Sequence, residues 1–248
     1  MLFPKNGRVV VLDDKVEQGL PLVKAFSKMG IPCSYFTGTK IEMPKKPFDD
    51  IRILALDINL TDGSNFKNTK SMLITCMKAI VSKESKYIVL IWSVKENEFT
   101  TDLDALFDKE LRDICPVARI PLHKKDYFVH TAGGDYRPRG DLIRKLNKLL
   151  SEKLKSNSIL ALMIVWENLI HECAGSIIRK FSGFIEKDSC FDGNLRHIFY
   201  KMAHAQVGRN LKEINKAEVL KNGLRTFNDT FADEINSALI MKNINRAS

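Results

Sequence analysis

The chain has 248 residues, 44% of them apolar, enough for a sizeable core in one large domain or two modest ones. Its 39 basic and 30 acidic residues leave a net charge of +9 that is spread through both halves, which reads as a solvated basic surface rather than a dedicated nucleic-acid patch. Five widely spaced cysteines without a C-x-x-C pair fit reduced thiols, and neither a signal peptide nor an apolar run of about 20 residues is visible, so a soluble cytoplasmic protein is expected.

Val9-Val-Val-Leu12 reads as a buried strand. Lys15 to Met29 then carries apolar residues at Val16, Leu20, Val23 and Phe26, the stripe of a one-sided helix, and Gly30 stops it. Cys33 to Phe36 is a short second strand, followed by a polar loop with prolines through Asp50. Ile51 to Leu56 is the third strand, and Asn65 to Lys83 a helix with Phe66, Met72, Leu73, Met77, Ile80 and Val81 facing inward. Tyr87 to Ile91 is a fourth strand, Thr101 to Leu111 a shorter helix, and Val117 to Leu122 a fifth strand in which Pro121 is expected near the end. Strands that are apolar throughout are buried on both faces, the pattern of a parallel sheet covered by helices. Five of them separated by helical crossovers predict an open α/β domain of the flavodoxin-like type.

Strand signals vanish after about Arg139. Asp141 to Leu150 reads as the last helix of the α/β domain, and Ser156-Asn-Ser158 as the junction. Beyond it, helical patterns run over Ile159 to Ile185, Asn194 to Gly208 and Lys216 to Asn243, with a turn at Asp188 to Gly193. The expected domains are therefore an α/β unit over 1–155 and an all-helical unit over 156–248.

In a flavodoxin-like sheet, reactive groups gather beyond the carboxyl ends of the strands. Here the first strand ends in Asp13-Asp14, the third in Asp57, the fourth in Ser93, and the fifth is followed by Lys124-Lys125. Three carboxylates brought together repel one another, and a hard cation such as Mg²⁺, which takes oxygen ligands, relieves that repulsion. A carboxylate beside the cation can attack a phosphoryl group, with a hydroxyl and an ammonium receiving the added oxygens.

This order of residues resembles the receiver domain of two-component response regulators over about residues 7–155. The resemblance is carried by Asp13-Asp14 after VVVL, Asp57 in LDINLTDG, Ser93 in YIVLIWS and a lysine in LHKKDYF. It implies Asp57 as phosphoacceptor and Asp13, Asp14, Asp57 and the backbone carbonyl of Asn59 as Mg²⁺ ligands. It further implies Ser93 as the hydroxyl that follows the phosphoryl group, and Lys124 or Lys125 as the lysine. The implied partners are a histidine kinase or phosphotransfer protein upstream and, through the helical unit, a second copy or another protein. No catalysis is expected beyond gain and loss of phosphate at Asp57. The sequence departs from the receiver pattern in having no proline after the lysine, in Trp92 beside Ser93, and in the long approach from Phe128 to Arg139. A domain of this kind that keeps its acids and serves only as a docking module is the competing reading.

LDINLT is also similar to the D-x-D-x-T loop of haloacid-dehalogenase-like phosphohydrolases, but Asn59 stands where their second acid belongs, and the motif lies on the third strand rather than the first. In the helical half, His171 with Gly175 and Ser176 resembles the phosphorylated helix of phosphotransfer domains, although Ala174 replaces a lysine; a relay through His171 is the alternative this implies. His171-Glu172 has no second histidine at 175, so the H-E-x-x-H zinc motif is absent. His197 and His204, seven apart, share a helix face and read as surface or interface imidazoles. Trp166 is expected to anchor the helical core. Arg196, Lys201, Arg209, Lys212, Lys216 and Lys221 would face nucleic acid if any part of the chain does, though helix-turn-helix spacing is lacking.

Overall fold

The computed structural model describes residues 8–60, 66–93, 96–131, 136–154, 158–183, 191–207 and 216–247. The chain divides into two compact units, residues 1–168 and 169–248.

The first unit is built on five parallel strands: β1 (Arg8–Leu12), β2 (Cys33–Phe36), β3 (Ile51–Leu56), β4 (Ile88–Ser93) and β5 (Ala118–His123). Their order across the sheet is β2-β1-β3-β4-β5. Successive side chains on a strand point to opposite faces, and the core is split accordingly. Val9, Val11, Ile53, Ala55, Ile88, Leu90 and Trp92 belong to one apolar cluster, and Val10, Leu12, Leu54, Leu56, Val89 and Ile91 to the other. Helices α1 (Val16–Lys28) and α5 (Leu142–Leu154) cover the first face; α2 (Phe66–Ile80) and α3 (Glu96–Lys109) cover the second. This is the flavodoxin-like arrangement expected from the strand composition.

The inward face of α1 differs from the one its apolar spacing predicts. Gly19, Leu22, Ala25 and Phe26 are buried, while Val16 and Leu20 remain 48% and 37% exposed. The cause is Gly19: a Cβ there would stand 2.4 Å from Tyr35 Cε2, so only glycine lets the first turns of α1 lie this close to β2. The helix rolls onto that contact and turns the Val16–Leu20 edge outward.

Other elements deviate at their ends. Helix α2 stops at Ile80, and Val81 makes a lone parallel bridge with Phe48. Helix α3 begins at Glu96, before the expected Thr101. Pro121 sits inside β5, paired with Ile91, and is tolerated because β5 is an edge strand. After β5 come a single turn, α4 (Lys124–Tyr127), and a small antiparallel pair, β6 (Phe128–His130) with β7 (Tyr136–Pro138), which no sequence pattern announced. Arg139 N–H donates to the Tyr127 carbonyl at 2.7 Å and closes this insertion on itself.

Leu142, Leu146 and Leu150 of α5 join the first apolar cluster, as do Leu160 and Ile164 of α6 (Ser158–Gly183). Arg52, on β3, clamps the same helix: its Nε and Nη2 donate to Glu167 Oε2 and Oε1 at 2.8 and 2.5 Å. Helix α6 is long and apolar enough to cross a membrane by length and composition, but this burial and this ion pair engage it with protein.

The second unit holds the rest of α6, α7 (Phe191–Val207) and α8 (Lys216–Ala247). Phe227 of α8 packs against Phe181 and Phe199, with ring centroids 4.2 and 5.1 Å away. Gly223 comes so near Phe199 that a Cβ would lie 2.7 Å from its ring. Glu234 accepts from Ser176 Oγ at 2.8 Å and Lys180 Nζ at 2.6 Å. Residues 191–193, expected in a turn, already belong to α7, and the rest of that turn lies outside the described residues. Trp166, expected as a core anchor, is half exposed.

Candidate functional site

Strand order reverses between β1 and β3, whose following helices cover opposite faces of the sheet, so a crevice opens at their carboxyl ends. Asp13 and Asp57 are the first residues past those two strands, which is why an apolar run ends on a carboxylate in both places. Each is fixed in the same way. Asp13 Oδ1 accepts the Lys15 amide at 3.0 Å, and Asp57 Oδ1 the Asn59 amide at 3.0 Å, so each aspartate folds the chain beyond it into a turn around its own side chain. The Asp57 amide donates to the Leu12 carbonyl at 2.8 Å, which ties the two strand ends together.

The second oxygens of both carboxylates receive one cation. Lys124 Nζ donates to Asp13 Oδ2 at 2.7 Å, to Asp57 Oδ2 at 2.5 Å and to Gln18 Oε1 at 2.8 Å. An ammonium has three protons, and here each meets an oxygen. All three charged side chains are buried, Lys124 with only 2% of its surface exposed. Burial pushes the Asp13 carboxyl up to about 7; the Lys124 charge pulls the other way, and neighbouring Asp57 reinforces the rise.

Asp14 completes the group: one carboxylate oxygen from each of Asp13, Asp14 and Asp57 lies within 4.8 Å of the others, the only such cluster among the described residues. With all three ionised, one ammonium leaves two negative charges uncompensated, the charge of one divalent ion. The ligand atoms are all oxygen, the set that Mg²⁺ or Ca²⁺ prefers, so these residues fit a hard divalent cation.

The two candidate lysines are separated by the structure. Lys124 enters the carboxylate cluster, whereas Lys125 is exposed on α4. Ser93 ends β4 in register with His123, one residue before Lys124. Asn59 follows Asp57 by two residues and reaches it through the amide. His171 lies exposed on α6, and His197 and His204 are exposed on α7. Arg196, Lys201 and Lys221 are exposed as well, while Arg209 and Lys212 fall outside the described residues.

Two participants were missed in the sequence. Tyr35 Oη donates to the Asp13 carbonyl at 2.6 Å, bracing the acidic pair from β2. Gln18 is the third oxygen on Lys124. The available signal was its place in the first turn of α1, because helical side chains lean toward the amino end and hence back over the strand that precedes them.

No family model and no curated protein matches this sequence. Several solved structures are similar to it at low identity. One is a CheY-like receiver domain protein from Methanospirillum hungatei, at 15% identity and TM-score 0.34, covering 60% of this chain and 98% of that one. A response regulator from Burkholderia pseudomallei, solved with a phosphorylated aspartic acid, calcium ion and citrate, is 13% identical with TM-score 0.33, covering 71% and 89%. Full-length FixJ from B. japonicum is 12% identical with TM-score 0.35, covering 94% and 98%. The flavodoxin-like assignment rests on the strand order and register of the chain itself.

Proposed function

We propose that the protein is a response-regulator-like signalling protein in which Asp57 accepts a phosphoryl group with a divalent cation, Mg²⁺ in the cell, and thereby switches the helical segment that follows. The observation that carries this reading is the meeting of Asp13, Asp14, Asp57 and a fully buried Lys124 at the crevice between β1 and β3. A structural ion pair needs one acid per base; three acids around one base leave two negative charges for a divalent cation to offset.

The chain's own groups divide the work. Asp57 is the nucleophile: a carboxylate oxygen forms a bond to phosphorus while the donor's bond to phosphorus breaks, its electron pair leaving with the donor, as acetate when the donor is acetyl phosphate. Asp13, Asp14, Asp57 and the Asn59 carbonyl would hold Mg²⁺, which when bound neutralises charge on the transferring group. Lys124 stays near and donates to the added oxygens, and Ser93 supplies a hydroxyl from the end of β4. The phosphodonor in the cell would be a histidine kinase or a phosphotransfer protein in the cytoplasm, and residues 156–248 would act as effector or dimerisation domain.

A second reading is a docking module that is never phosphorylated. It is favoured by the exposed apolar face of α6, Ile159, Leu162, Met163 and Trp166, spaced for one side of a helix. The two readings part in one experiment. Protein incubated with Mg²⁺ and acetyl phosphate should gain one phosphate by mass, and Asp57→Asn should not. An unmodified wild-type protein, under conditions that label a control receiver, would leave the docking module as the reading.

A further inference from the structure

The Lys124 ammonium is held from three sides, and only two of those sides are acids. We infer that Gln18 is a positioning residue: its side-chain carbonyl fixes Lys124 in the gap between Asp13 and Asp57, so that the ammonium already stands where the group arriving at Asp57 will need a donor. This inference rests on the phosphoacceptor reading above for its consequence, but not for its geometry.

The geometry is built from the sequence upward. Asp13 Oδ1 takes the Lys15 amide and starts the turn into α1. The amides of Gln18 and Gly19 both donate to the Lys15 carbonyl, at 2.9 and 3.0 Å, which tightens that first turn. Gly19, with no side chain, sets the turn against the Tyr35 ring, and Tyr35 Oη is itself bonded to the Asp13 carbonyl. Lys15, Gly19 and Tyr35 thus frame a position from which a glutamine amide reaches over the strand end, and Gln18 Oε1 meets Lys124 Nζ at 2.8 Å.

The chemistry of the third partner decides what Lys124 can do. Two carboxylates alone would leave one ammonium proton without an oxygen in a buried site, and the flexible lysine stem would be free to shift between them. A neutral amide oxygen closes the set without adding a fourth negative charge that would compete for the metal cation. It also releases the ammonium at less cost than a carboxylate would, since hydrogen bonds between ions are the stronger kind. Glutamine therefore suits a lysine that must be held before phosphorylation and must turn toward a phosphoryl oxygen afterwards.

The test uses the full chain labelled with ¹⁵N-lysine. A buried ammonium with three oxygen partners exchanges its protons slowly enough to give a ¹H–¹⁵N signal, assigned by its loss in Lys124→Arg. In Gln18→Leu the exchange of that ammonium should quicken at least tenfold, and Gln18→Glu, which restores an acceptor oxygen, should bring protection back. Should leucine disturb α1, Gln18→Asn takes its place, keeping the amide but withdrawing it by one methylene. The rate of Asp57 phosphorylation by acetyl phosphate at saturating Mg²⁺ should fall at least fivefold in the same variant. Unchanged ammonium exchange overturns the positioning role. So does an unchanged phosphorylation rate in a protein whose wild type is labelled. If the wild type takes up no phosphate, it is the phosphoacceptor reading that fails, and the exchange measurement still decides on Gln18.

Discussion

Lys124 Nζ stands 2.5 Å from Asp57 Oδ2 and 2.7 Å from Asp13 Oδ2, a cation shared between two strand ends and shut off from water. Breaking a buried pair from one side leaves the other charge without a partner, at a cost of about 3–5 kcal/mol. Lys124→Met should therefore lower the stability of the metal-free protein by about that amount in urea unfolding, and added Mg²⁺ should recover part of the loss by taking over the two carboxylates. Lys125→Met, on the exposed side of α4, should stay within about 0.5 kcal/mol of wild type. Equal effects of the two substitutions would remove Lys124 from its central place.

The acidic pair can be separated in the same way. Asp14 is half-buried and reaches the shared oxygen cluster from beside Asp13. Asp14→Ala should weaken Mg²⁺ binding at least tenfold, about 1.4 kcal/mol. Trp92 can report the titration: it is buried against Tyr127, in the same turn as Lys124, and Phe128, which follows it, with ring centroids 6.1 and 5.0 Å away. A Trp166→Phe background removes the half-exposed second indole. Unaltered affinity would strike Asp14 from the ligand set.

What the sequence disclosed and what it withheld follow from range. The five strands were legible because parallel strands are apolar on both faces, and the acids were legible because several such strands end on them in a sheet whose reactive groups gather at those ends. The choice between Lys124 and Lys125 was not, since it depends on how β5 runs into the α4 turn. The face of α1 was misread in part for a related reason: Val23 and Phe26 face the core as expected, but Val16 and Leu20 match the helical period as well as Leu22 does, and the approach of Gly19 to Tyr35, from a different strand, selects between them. The β6–β7 pair is three residues a side, too short for period-two alternation to register.

That approach yields a direct check. An alanine methyl at 19 would sit 2.4 Å from Tyr35 Cε2 and 3.2 Å from Asp13 Cβ, so Gly19→Ala must push α1 off β2 or turn the tyrosine out. Overpacking of this kind costs about 1–3 kcal/mol. Gly183→Ala at the end of α6, where no atom of the described residues lies within 4 Å, serves as control and should be neutral or slightly stabilising. Denaturant midpoints of the two variants decide the matter, and equal midpoints would contradict the tight seat of α1.

Asp13 also sets a pH dependence. Its carboxyl is pushed up to about 7 from a model-peptide value of 3.8, so between those values the folded protein holds a proton that the unfolded chain has released. A group raised on folding contributes stability that is complete below about pH 3.8 and is lost as pH rises through about 7. The metal-free protein should therefore lose this contribution on going from acid to neutral pH, and Asp13→Asn should flatten that part of the profile. Mg²⁺ must displace the same proton, so its affinity should climb with pH and level off above about 7. Calorimetric titrations at several pH values give the slope, and a pH-independent affinity would count against Asp13 as a ligand that is protonated in the metal-free protein.

The final prediction concerns how the site reaches the helices. A phosphate on Asp57 would add charge at the end of β3; in the proposed switch Ser93 and Lys124 would gain new hydrogen bonds only by turning toward it, which would bias α3 and the turn into α4. The same strand begins beside Arg52, whose guanidinium grips Glu167 of α6 with two bonds, and α6 runs on unbroken to Gly183, with Leu169, Cys173 and Ile177 buried along it. A shift of β3 therefore has a charged handle on the helix as well as the apolar contacts of Leu160 and Ile164. Hydrogen exchange of the phosphorylated protein should differ from the unphosphorylated one in residues 94–111 and along α6. Arg52→Ala should reduce the α6 difference while leaving the change around Asp57 intact. Exchange changes confined to the neighbourhood of Asp57 would show that phosphate is accepted there without being transmitted, and an α6 response indifferent to Arg52→Ala would move the coupling to the apolar contacts alone.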